Sequence, residues 1–176
     1  MSYQNFKKAL KLAKKCEDYD TGGGKSDSVI LAASNLLNIA FSKQTQVYFS
    51  QLGHLTFSCF EVYGIIKDDF SGIPAFSCVE SALADRRDYN LPKEWLPIFF
   101  FDDGYYGYLD YSQLDEHGEP PVIAAHYDGE KYVVDEKVAD DFGDFLLQLV
   151  EETLSEQSIL YAIWFSFCRF IRGSKK

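Results

Sequence analysis

Gly53 divides this chain into two hydrophobic rhythms. Ahead of it, apolar residues recur every three or four positions, the spacing that gathers them on one face of a helix. In residues 4–16, Phe6, Leu10 and Ala13 share a face and lysines populate the other. A second helix is predicted from Ser26 or Asp27, both good caps, with Val29, Ala33, Leu36 and Leu37 as its apolar stripe. A third follows Ser42, with Val47, Tyr48 and Leu52 turned inward and Gly53 as its stop.

Beyond Gly53 the apolar residues are aromatic or β-branched and come in short runs separated by turn residues, which is how strands read. Residues 56–66 read as one strand, 71–74 as a loop and 78–89 as a short helix. Residues 96–101 and 105–111 form a hairpin about Asp102-Asp103-Gly104, since an Asp-Gly pair suits the positive φ of such turns. Residues 115–120 make another turn, and 122–126 and 131–134 supply two further strands. Helical spacing returns over 138–154, with Phe142, Phe145, Leu146 and Leu149 on one face.

A chain of 176 residues suits one domain and buries enough surface to fold without disulfides or metal. We expect a helix over 1–19, a domain over 20–156 and an apolar tail over 157–176. Three readings of that tail stay open: a helix packed on the domain, a partner-binding or self-association helix, and an interfacial membrane helix flanked by Arg169, Arg172, Lys175 and Lys176. Its apolar run is shorter than the roughly 20 residues that span a bilayer, so membrane insertion is not expected. The lysine-rich start does not read as a signal peptide, and Cys16, Cys59, Cys78 and Cys168 are widely spaced beside apolar neighbours. Buried free thiols and a cytoplasmic location follow as expectations.

Charge is segregated. All 27 acidic residues lie between Glu17 and Glu156, where only eight basic ones accompany them, a balance of −19 within a chain whose net charge is −10. A field of that sign repels nucleic acid and attracts basic proteins.

No segment carries convincing catalytic chemistry. Gly22-Gly23-Gly24-Lys25-Ser26 resembles a phosphate loop, but the first motif glycine is replaced by Tyr19 and the preceding element is a helix, so a plain turn is the better reading. Asp102, Asp103 and Asp110 flank a hairpin with no histidine or cysteine at ligand spacing. His54, His117 and His126 are isolated; the first two read as exposed polar positions and the third ends a strand. No cofactor, metal or enzymatic activity is expected.

The order of segments is more specific than any one of them. Tyr48-Phe49-Ser50-Gln51-Leu52-Gly53 runs into Phe60-Glu61-Val62-Tyr63-Gly64-Ile65, then Leu91-Pro92-Lys93-Glu94-Trp95 and Ile98-Phe99-Phe100-Phe101-Asp102-Asp103-Gly104. Tyr108-Leu109-Asp110-Tyr111-Ser112, Gly118-Glu119-Pro120-Pro121-Val122-Ile123 and Val138-Ala139-Asp140-Asp141-Phe142-Gly143-Asp144-Phe145-Leu146 follow. Over residues 20–152 this resembles the SUKH superfamily, the Smi/Knr-type domain. It departs from the family's pattern at Ser42-Lys43, where Leu-Pro is usual, and at Leu52-Gly53-His54, where Asn-Gly-Gly is usual.

The resemblance implies a non-enzymatic bacterial immunity protein that binds and neutralises a cognate polymorphic toxin, often a nuclease. Its alternative is a scaffold or regulator of an endogenous protein, such as a cell-wall synthesis regulator. The resemblance also implies an α+β fold with a central, mainly antiparallel sheet surrounded by helices. For toxin binding, the partner contacts expected on the acidic surface are Asp68, Asp69, Asp102, Asp103, Tyr105, Tyr106, Asp115, Glu116 and Glu119; for the alternative, the apolar tail is the docking element.

Overall fold

The computed structural model describes residues 2–72, 75–102 and 104–156. The apolar tail expected over 157–176 therefore lies outside the described residues. Helices α1 (Ser2–Ala13), α2 (Asp27–Leu37) and α3 (Lys43–Leu52) precede the strands β2 (Leu55–Phe57) and β3 (Phe60–Val62), with a two-residue β1 (Asp20–Thr21) between α1 and α2. Then come α4 (Cys78–Tyr89), β4 (Trp95–Asp102), β5 (Tyr105–Asp110), β6 (Val122–Tyr127) and β7 (Tyr132–Ala139). A fifth helix, α5, covers 142–156. The fold is α+β, as expected, with its strands in two antiparallel sheets, β1-β2-β3 and β4-β5-β6-β7. The Tyr63 amide donates to the Ile98 carbonyl at 2.8 Å and joins them.

Local chemistry sets the element ends. Ser26 and Ser42 accept from the Val29 and Thr45 amides and start α2 and α3. Asn38 and Asn90 take left-handed backbone and end α2 and α4. The segment expected as one strand over 56–66 is a tight hairpin, with Phe57 opposite Phe60 and Ser58 at φ 51° in the turn. The strand expected over 131–134 extends to Ala139, which pairs with Val122. The last helix accordingly starts at 142 rather than 138, where the Asp141 carboxylate accepts from the Gly143 and Asp144 amides at 2.7 and 3.0 Å.

Tyr48 sits at the centre of the core. Its hydroxyl donates to the Val62 carbonyl at 2.8 Å, and its ring stands edge-on to Phe142 at 5.0 Å. Phe6 packs on the far side of Phe142, so α1, α3, β3 and α5 share one apolar interior. The α2 stripe is rotated from expectation: Ile30, Ala33 and Leu37 are buried, while Leu36 faces solvent. Cys16 and Cys78 are buried free thiols, whereas Cys59, in the β2–β3 turn, is exposed.

Among the described residues no helix is long and apolar enough to cross a membrane.

Candidate functional site

The four-stranded sheet is a meander, so consecutive turns alternate between its ends. The β4–β5 and β6–β7 turns share one end, and the β5–β6 turn lies at the other, about 20 Å away along the six residues of β5. This topology separates the residues expected to meet a partner.

At the far end the carboxylates serve the fold. Asp115 accepts from the His117 and Glu119 amides, each at 2.8 Å, and so ties its own turn. Glu116 is the freest of the set, with its side chain 87% exposed. Glu119 departs from the surface role expected of it: it is 4% exposed, and its carboxylate accepts from the Gln44 amide in the first turn of α3 at 3.2 Å. It caps a helix instead of meeting a partner. Burial holds its pKa above the ordinary 4.5, partly offset by Ser42 and the Gln44 amide, with Asp141 and Asp115 adding to the rise.

That shift gives a test. Folded Glu119 binds its proton more tightly than the unfolded chain does, so its stabilising contribution is full below about pH 4.5 and is lost as pH rises through the raised value. Relative to Glu119→Gln, the native chain should become more stable on going from pH 7 to pH 4.5. Urea midpoints at the two pH values measure this, and a difference that does not change between them would exclude it.

Asp68 and Asp69 lie on the loop after β3. Asp68 pairs with Lys25 at 2.9 Å, and Lys25 also donates to the Ile66 carbonyl at 2.9 Å. The Asp69 carboxylate accepts from the Ser71 amide, which lowers its pKa. The glycine segment before Lys25 forms no anion cradle. The Gly22 amide donates to the His54 carbonyl and the Lys25 amide to that of Phe49, so this stretch is laid against the end of α3. His54 is half-buried beside it rather than exposed, and burial lowers its pKa.

The three aspartates considered for acid–base or metal chemistry do not converge. Asp102 pairs with Tyr105 at one end of the hairpin, and Asp110 pairs with Trp95 at the other. Asp110 is buried and accepts from Ser112 and Gln113. Of Asp102 only the backbone is described, and Asp103 lies outside the described residues. No group of three or more His, Cys, Asp or Glu side chains fit to hold a metal occurs among the described residues.

The near end is different: it exposes rings. Tyr105 is exposed and its ring lies tilted beside that of His126 at 5.2 Å, and His126 Nδ1 lies 2.8 Å from the Asp135 carboxylate. On the opposite face of β5, Tyr106 packs on Phe100 at 4.9 Å. Beside it a groove of about 310 Å³ opens between α4 and the sheet, lined by Asp85, Tyr89, Gly104, Tyr106, Tyr108, Tyr127 and Tyr132. Burial raises the pKa of Tyr106, Tyr108 and Tyr132, the last to about 12, with the Asp85 charge adding to each. Sequence reasoning found Tyr105 and Tyr106 but missed Asp85, Tyr89, Tyr127 and Tyr132. The one available signal was the pair of tyrosines bracketing the Asp128-Gly129 turn.

Fold and site together define an α+β domain that exposes rings at one end of its four-stranded sheet and uses Asp115 and Glu119 to tie a turn and cap a helix at the other. A family model described as SMI1-KNR4 cell-wall (SUKH_5) matches residues 9–151. The chain belongs to that family, and the match starts inside α1, whose Phe6, Ala9 and Ala13 are part of the common core. No curated protein matches the chain closely enough to count as a relative.

Proposed function

We propose that this chain is an immunity protein that binds and neutralises a basic protein toxin, a nuclease by class, in the cytoplasm and without catalysis. The observation that carries this reading is the near end of the sheet, where exposed rings lie beside Asp85 and the His126–Asp135 pair in a member of the SUKH family. Aromatic residues supply rigid anchors for an interface, and surrounding negative charge speeds encounter with a positive partner. Contacts are assigned to Asp102, Asp103, Tyr105 and Tyr106, with Asp68, Asp69, Asp115 and Glu116 as flanking charges that steer approach. Glu119 is left out because it has no free surface.

The test is co-expression with the toxin encoded beside the gene. Survival with the chain and death without it is expected; equal killing in both cases would overturn the reading. A second reading has one observation in its favour, the cell-wall description of the family model. On that reading the same end binds an endogenous regulator of cell-wall synthesis, and capture of such a protein by a chain with no protective effect would support it.

A further inference from the structure

The groove between α4 and the sheet combines a half-buried carboxylate with a row of tyrosine rings. Asp85 lies half-buried on the inward side of α4. The bases next to it in sequence are engaged elsewhere: Arg86 donates to the carbonyls of Leu37 and Lys93, and Arg87 pairs with Asp88 at 2.7 Å. Among the described residues no lysine, arginine or histidine pairs with Asp85. Its nearest charged influence is the like charge of Asp88.

The rings form a continuous wall. Tyr89 stands 5.2 Å from Tyr127, Tyr127 stands 5.5 Å from Tyr132, and Tyr132 stands 6.0 Å from Tyr108. Tyr106 continues the row at 6.4 Å from Tyr108. Tyr108 is fully buried and forms the floor, whereas Tyr89 is 47% exposed and forms the rim. The volume lies at the small end of the roughly 300–1,000 Å³ range of ligand pockets, enough for one long side chain. Tyrosine ring faces attract cations, and a planar guanidinium both stacks on a ring and grips a carboxylate through two donors. A lysine ammonium fits such a slot less well, because it has no planar face.

We propose that this groove receives an arginine side chain of the protein partner, paired with the Asp85 carboxylate and packed between the tyrosine rings. The assignment rests on the reading of the chain as a partner-binding protein and supplies that partner's anchor. It places the anchor in a pocket beside the exposed Phe100 ring, on the Tyr106 face of the sheet, as a central contact within a more exposed rim.

The experiment titrates the full chain, isotopically labelled, with the peptide acetyl-Gly-Gly-Arg-Gly-Gly-amide and with its citrulline counterpart, which keeps the shape and loses the charge. Amide shifts centred on Tyr89, Tyr106, Tyr127 and Tyr132 with the arginine peptide are expected, at an affinity at least fivefold weaker for citrulline. Asp85→Asn should weaken the arginine peptide by a similar factor while leaving the rest of the spectrum in place, and Tyr127→Ala serves as a second variant at the rim. Equal binding of the citrulline peptide, shifts that map elsewhere, or unchanged binding to Asp85→Asn would overturn the proposal.

A parallel co-expression arm separates the two readings. If the native chain protects and Asp85→Asn protects equally well, the arginine pocket is refuted while the immunity reading stands. If the native chain fails to protect, the immunity reading falls and the peptide titration alone decides the pocket.

Discussion

Tyr48→Ala should lower the unfolding free energy by about 4 kcal/mol, the cost typical of emptying a large buried aromatic site. Few positions tie together as much of this fold. The ring is fully buried, meets Phe142 of α5 and Phe49 of its own helix, and carries the only hydroxyl that reaches the Val62 carbonyl at the end of β3 among the described hydrogen bonds. Removing it leaves a cavity that α3, β3 and α5 border together, so collapse of one element cannot fill it. A domain stable by roughly 5–15 kcal/mol loses a large share of that margin. Tyr48→Phe separates the parts of the effect: it keeps the ring and gives up one hydrogen bond, for a loss of about 1 kcal/mol. Urea unfolding with unchanged slope measures both, and an alanine variant as stable as the phenylalanine one would show that the cavity relaxes.

Gly64→Ala is expected to cost about 3 kcal/mol, the upper part of the range for overpacked sites. For a chain of this length that lowers the melting temperature by roughly 10 °C. A Cβ at Gly64 would lie 1.8 Å from the Gly53 carbonyl oxygen, 2.7 Å from its carbon and 2.9 Å from the His54 Cα, all backbone atoms that no rotamer change can clear. Nor can Gly64 retreat. Its amide donates to the Phe76 carbonyl, its own carbonyl accepts from Cys78, and the next amide, of Ile65, donates to the same Gly53 carbonyl. Gly23→Ala is the control. A Cβ there meets nothing within 4 Å, and only the left-handed backbone at φ 74° opposes it, worth about 1 kcal/mol. A thermal scan that ranks Gly23→Ala as the more damaging change would refute the packing account.

What the sequence concealed has a common physical cause: contacts distant in the chain decided it. The β2–β3 turn carries no glycine or asparagine at its left-handed position; Ser58 takes it because its amide donates to the Glu17 carbonyl at 2.6 Å. Residues 56–66 therefore read as one strand. Val138 and Ala139 continue a helical spacing, yet pairing with β6 claims them as strand, and only the Asp141 cap marks where α5 begins. Helix starts at Ser26 and Ser42 and the hairpin about Gly104 were legible because their chemistry is local. The same division holds at the site. Tyr105 and Tyr106 announce themselves beside an Asp-Gly turn, whereas Asp85 is one charge among several on a helix of weak periodicity until α4 is laid across the tyrosines of β5, β6 and β7. Glu119 looked like any turn carboxylate, and the Asp115 turn beside the start of α3 is what buries it.

Because the meander sends its turns alternately to opposite ends, the exposed rings and the Asp115–Glu119 supports of the fold occupy separate addresses in this molecule. Asp115, which ties its turn, and Glu119, which caps α3, sit at the β5–β6 end, and Tyr105 with its ring neighbours at the other, too far apart to share neighbours. Substitutions at sites so separated have nearly additive effects on stability. The ring-bearing end is therefore free to be rewritten for a new binding target while the scaffold beneath it stays intact.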